Sequence, residues 1–213
     1  MIDVELDFTF GGKDNIFEVF SSINKCNSCS VAANRTTEIP FPPEYYGDIN
    51  KIKFALIHQS PMVEDTLDSG VFNENEEYGR FFIQFLKLLG LEREELYISS
   101  SLLCADGRTN PKSTDYFNCI KHKYDEFQLL NGLRCVFIMG DVALKQLLDV
   151  SFSINQYNKK VFIIDKEDPI FLIPINHVMQ YMIKDDNAWR KEVLARLEEI
   201  KHQYVIPIKE GEL

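Results

Sequence analysis

The chain has no apolar run approaching the roughly 18 to 20 residues of a membrane-spanning helix, and nothing in it reads as a membrane span. The opening stretch MIDVELDFTF has neither the basic start nor the apolar core of a secretory signal, so the expectation is a soluble, cytoplasmic protein. Positive charge is scarce: 23 Lys and Arg face 33 Asp and Glu, a net charge of -10. Such a field repels phosphate backbones, so binding to nucleic acid requires a local basic face. The densest basic stretches, CIKHKY (119–124) and WRKEVLAR (189–196), read as solvated helix faces. Internal repeats and low-complexity segments are absent as well. Cysteine is sparse, with five in 213 residues. A reducing compartment argues against a disulfide framework, which leaves ligation, catalysis or burial to account for them.

What is present suffices for a folded domain, since 45% hydrophobic content can build a full core. IKFALIH (52–58), LYISSS (96–101), RCVFIM (134–139) and IFLIPI (170–175) are apolar runs of strand length, suited to a sheet covered on both faces. Segments of helical period lie between and after them: YGRFFIQFLKLLGL (78–91) with Gly90 as its cap, residues 113–130 behind a capping Ser or Thr, 140–149, and 187–204. This alternation predicts a three-layer α/β/α sandwich around a central, mainly parallel four-stranded sheet. One domain is expected over 1–213. Its N-terminal segment (1–50) carries a helix near 14–24, its core covers 51–204, and 205–213 form a tail. In such folds the site lies at the carboxyl ends of the strands, which here carry HQSP (58–61), SSSLLC (99–104), MGD (139–141) and INH (175–177).

The motif Cys26-Asn27-Ser28-Cys29 serves redox pairs, zinc sites and iron-sulfur clusters alike. A thioredoxin-type pair follows a strand and opens a helix; this one precedes the first core strand, which disfavours that reading. Cys104 follows the second core strand and Cys119 lies in the next helix, so four thiols can meet beside one edge of the sheet. Four thiolates are the ligand count of structural zinc and of a [4Fe-4S] cluster. The wide spacing of the second pair leans towards a cluster and leaves zinc as the alternative. Cys135, inside RCVFIMG, reads as a core residue.

With these cysteines in order, residues 22–202 resemble the iron-sulfur class of the uracil-DNA glycosylase superfamily, often called family four. The landmarks are CNSCSVAANRTTEIP, EYGRFFIQFLKLLGL, LYISSSLLC, RTNP, YFNC, CVFIMGDVALKQLL and FLIPINHV. The resemblance implies a [4Fe-4S] cluster on Cys26, Cys29, Cys104 and Cys119, DNA containing a deaminated base as substrate, and hydrolysis of the N-glycosidic bond of a flipped base. It also implies roles for single residues. His58-Gln59-Ser60-Pro61-Met62 stands where the family has its first motif, without that motif's two glycines. Gln59 stands at the motif's glutamate, which is a glutamine in another version of the superfamily's motif, Ser60 falls where that version has the aspartate that handles the attacking water, and Pro61 lines the pocket. Ser100 stands where an asparagine reads the base. The stacking phenylalanine falls at Glu77, with Tyr78 and Phe72 as neighbouring substitutes.

His177 matches a histidine that donates to the leaving base as negative charge develops, and is followed by Val178-Met179 where the family has Pro-Ser. Glu64 and Asp65 are acids placed to position water. Arg108 and Lys112 are the candidate contacts to the DNA backbone. The altered motif positions and the acidic charge keep a second expectation open: a catalytically inactive iron-sulfur relative that binds a nucleic-acid or protein partner.

Overall fold

Each apolar run of the sequence is short, β-branched and covered on both faces, and each becomes a strand. The computed structural model describes residues 1–3, 15–35, 48–61, 71–105, 111–148, 154–157, 159–164, 168–178, 180 and 187–213. Its strands are β1 (Ile2–Asp3), β2 (Phe54–His58), β3 (Leu96–Ser100), β4 (Cys135–Met139), β5 (Phe162–Ile164) and β6 (Ile170–Ile175). They form one sheet in the order β1-β5-β6-β4-β2-β3. β2 lies parallel between β3 and β4, and β4 pairs parallel with β6. β5 runs antiparallel to β6, and β1 is parallel to β5.

The α/β/α sandwich and its mainly parallel sheet are therefore as expected, but the sheet has six strands where four were expected. The additional pair, β1 and β5, are two and three residues long. Strands that short show no period in a sequence.

The helices are α1 (Ile16–Asn24), α2 (Ser30–Ala33), α3 (Glu77–Leu89), α4 (Ser113–Leu129), α5 (Asp141–Leu148), α6 (Ile154–Tyr157), α7 (Asn187–Ile200) and α8 (Ile206–Glu210). Asn15 caps α1 by accepting from the Glu18 N–H, and α3 ends at Gly90 in the left-handed conformation (φ 75°). α4 differs from expectation. Its N-cap is Lys112, whose backbone N–H donates to Asp115 Oδ2 at 2.8 Å, so an acid inside the first turn takes the place of a capping hydroxyl. The stretch expected to be a tail continues α7 through a π-helical turn (Lys201–Val205) into α8. There Ile208 is fully buried, and its carbonyl accepts from Lys53 Nζ at 2.8 Å.

Alternating strand residues feed two cores. Ala55, Ile57, Val136 and Ile138 face α1, α4 and α5; Phe54, Leu56, Phe137 and Met139 face α3 and α7. This alternation decides which face each functional residue meets.

Candidate functional site

The carboxyl ends of β2, β3 and β6 bring together His58, Ser100 and His177. His58 and Ser100 are opposite each other in the β2–β3 register, and His58 Nε2 lies 2.8 Å from Ser100 Oγ. Both side chains are 4% exposed. Burial lowers the His58 pKa to about 3, and the charges of His177 and Lys123 act in the same direction. The ring is therefore neutral at pH 7 and shares a proton with the Ser100 hydroxyl. His177 is half-buried, and burial lowers its pKa too. Two neutral imidazoles and a hydroxyl can donate to developing negative charge without adding a full charge of their own.

Phe72 forms the wall behind them. Its ring lies 4.8 Å from the His58 ring and 4.2 Å from the stacked ring of Phe82. Its backbone is left-handed (φ 57°), a costly state for an aromatic residue. Arg93 donates to the carbonyls of Val71 and Phe72, and its guanidinium sits over Phe82, 5.9 Å from the ring centroid. Gly79 lets α3 approach this turn: a Cβ there would lie 1.8 Å from the Asn73 oxygen. Of the two substitutes for the stacking phenylalanine, Phe72 is thus enclosed between His58 and Phe82. Tyr78 is half-buried, 6.3 Å from Phe72.

The remaining motif positions differ in placement. Gln59 is exposed, with Nε2 3.5 Å from the Tyr116 hydroxyl; Ser60 is half-buried and Pro61 buried. Lys112 is exposed at the start of α4. Arg108, Glu64, Asp65, Met62 and Met179 lie outside the described residues.

The other face carries the thiols. Cys104 and Cys119 are buried, Cys26 and Cys29 half-buried, and all are free. Burial raises the Cys119 thiol to about 11, countered in part by a hydrogen bond to the Leu103 backbone and reinforced by Cys104 and Cys29. Cys104 is raised chiefly by burial, with Cys29 and Cys26 adding to the rise and Arg35 opposing it. The thiols expected to converge therefore lie within electrostatic reach of one another. Asn118 Nδ2 donates to the Ser28 carbonyl at 3.0 Å, fastening the CxxC loop to α4 next to Cys119. Among the described residues, no three His, Cys, Asp or Glu side chains are close enough to hold a metal as they stand. In identity and neighbourhood the thiols fit a four-thiolate centre, but the ligating distances are not formed. A bound cation would reverse the rise in their pKa values.

A further network went unread in the sequence. Lys123 and Glu126, with side chains 0% and 3% exposed, form an ion pair of 2.5 Å. Lys123 also donates to Ser99 Oγ, while Ser99 Oγ and Tyr97 OH donate to Glu126 at 2.8 and 2.9 Å. CIKHKY is therefore not a solvated face: His122 and Lys123 are both buried. The signal available was spacing, because Cys119, Lys123 and Glu126 recur along one face of α4. Adjacent serines take opposite duties through strand alternation, Ser99 facing this pair and Ser100 facing His58.

Among known proteins, no family model matches the chain, and no curated sequence is similar to it.

Proposed function

We propose that the chain is a DNA glycosylase-like protein that hydrolyses the N-glycosidic bond of uracil or another deaminated base in DNA. The observation that supports this most is the meeting of His58, Ser100 and His177 at the carboxyl ends of parallel strands, beside a four-thiol patch on the neighbouring face. On this reading Ser100 bonds to the polar edge of the flipped base, and His177 donates to it as the C1′–N bond breaks and charge moves onto the base. Water then adds to C1′. Ser60, with Gln59, orients that water; since the sugar cation forms first, a strong base is not required. Lys112 and Arg108 hold the DNA backbone. Cys26, Cys29, Cys104 and Cys119 would hold the [4Fe-4S] cluster, or zinc as the alternative. The bound centre would contribute structure, tying the N-terminal segment to α4.

The test uses oligonucleotides carrying single uracil, hypoxanthine or xanthine, with abasic sites as the readout. Release from at least one is expected, with kcat reduced roughly 10²- to 10³-fold in His177→Ala. If no base is released from any of them, and the His177→Ala protein binds the same DNA as the parent does, the glycosylase reading is dropped.

A second reading, an inactive iron-sulfur relative that binds a protein partner, is favoured by the apolar groove between α3 and α7. Phe81, Phe85, Leu88, Val178 and Leu194 line it, and Leu88 and Leu194 are 40% and 45% exposed.

A further inference from the structure

Arg35 stands just past α2, and its guanidinium turns back towards the end of α1. Nη1 donates to the carbonyls of Ile23 at 3.1 Å and Cys26 at 3.4 Å, and Nη2 donates to that of Asn24. Nη1 also lies 3.9 Å from Cys104 Sγ, so one side chain joins both halves of the thiol patch across 69 positions of sequence. Among the described residues, no carboxylate pairs with Arg35. The neighbouring cation, Lys123, is already occupied by Glu126 at 2.5 Å.

We infer that Arg35 is a positioning residue for a metal centre of net negative charge. It holds the Cys26 loop against Cys104 and supplies the positive charge that four thiolates around one centre leave unbalanced. Both [4Fe-4S]²⁺ and Zn²⁺ ligated by four thiolates carry a net charge of −2, so the same cation serves either. A fixed guanidinium donor beside a ligand sulfur orients that ligand and stabilises its charged form. The inference rests on the four-thiol centre proposed above but not on glycosylase activity.

The probe is Zn²⁺ alone, titrated into anaerobic apo-protein in competition with a chromophoric chelator. The variants are Arg35→Lys, which keeps the charge, Arg35→Gln, which keeps neutral donors, and Arg35→Met, which keeps neither. Far-ultraviolet circular dichroism and limited proteolysis of the N-terminal segment run alongside. Arg35→Gln is expected to remain folded yet bind Zn²⁺ roughly 10- to 100-fold more weakly, as loss of a ligand's supporting partner does. Arg35→Lys should regain most of that loss, and Arg35→Met should also become sensitive to protease. If Arg35→Gln binds Zn²⁺ as the parent does, the charge has no role and the inference is overturned. Equal weakening in Gln and Lys variants overturns it too, because the role is then steric. Parent protein that binds no Zn²⁺, and carries no iron when purified anaerobically, overturns the four-thiol centre itself. That outcome is distinct, because it appears before any variant is made.

Discussion

Lys123 and Glu126 carry opposite charges where neither side chain meets solvent. Burial lowers the Lys123 pKa, and the adjacent Glu126 carboxylate opposes this. A buried ion pair adds little net stability, yet removing one partner strands the other. Glu126→Gln is therefore expected to destabilise the fold by about 3–5 kcal/mol, whereas the double change Lys123→Met, Glu126→Leu should recover most of that; denaturant midpoints decide. His58 makes a separate prediction about pH. Its folded pKa of about 3 lies below the ordinary 6.5, so between those values the unfolded chain binds the proton and the folded one does not. Stability from this group is complete above pH 6.5 and falls with pH below it, at up to roughly 1.4 kcal/mol per unit. His58→Gln should flatten the stability–pH curve between pH 6.5 and 3, measured by urea unfolding; an unchanged slope would show that the buried ring does not titrate this way.

Among the elements, α3 depends on a residue without a side chain. The nearness of Gly79 to the Asn73 carbonyl means that Gly79→Ala must push the start of α3 away from the Phe72 turn. A loss of about 1–3 kcal/mol is expected, together with a weaker His58–Phe72 contact visible in the His58 ring proton shifts. The N-terminal helices depend on the opposite device, side chains that reach across. With the proposed four-thiol centre bound, Cys26→Ser and Cys29→Ser should expose α1 and α2 to protease and to hydrogen exchange, leaving the β2–β4 amides protected. Legibility followed length and period. β2, β3, β4 and β6 could be read because each is a buried strand of at least five residues built on an apolar run, and α3 because its apolar spacing and Gly90 agree. β1 and β5 are too short to show a period. The Ser100–His58 bond was invisible for another reason, since it depends on two strands in register, and register is a property of the pair.

The whole molecule sets the terms for the proposed binding to DNA. With a net charge of -10, affinity cannot come from a general basic field, and Lys112 and Arg108 are the two proposed backbone contacts. A plot of log K against log salt for an abasic or uracil-containing duplex should have a slope of only about −2, and Lys112→Gln should reduce it by about one. Fluorescence anisotropy between low and moderate salt measures both, and a slope of much greater magnitude would mean that an unrecognised basic face exists.

The strand order also governs how the fold is reached. β2, the earliest of the four long strands, lies one strand in from the β3 edge of the sheet, and its partners arrive on one side as β3 and on the other as β4, with β6 beyond β4. During synthesis the first apolar strand must wait, with both hydrogen-bonding edges open, until chain far downstream has left the ribosome. Pairings of such wide sequence separation make folding slow, and an open strand edge recruits other chains. Nascent chains stalled after β3 should therefore be the aggregation-prone species and the ones that chaperones retain, because β2 then still lacks its second neighbour.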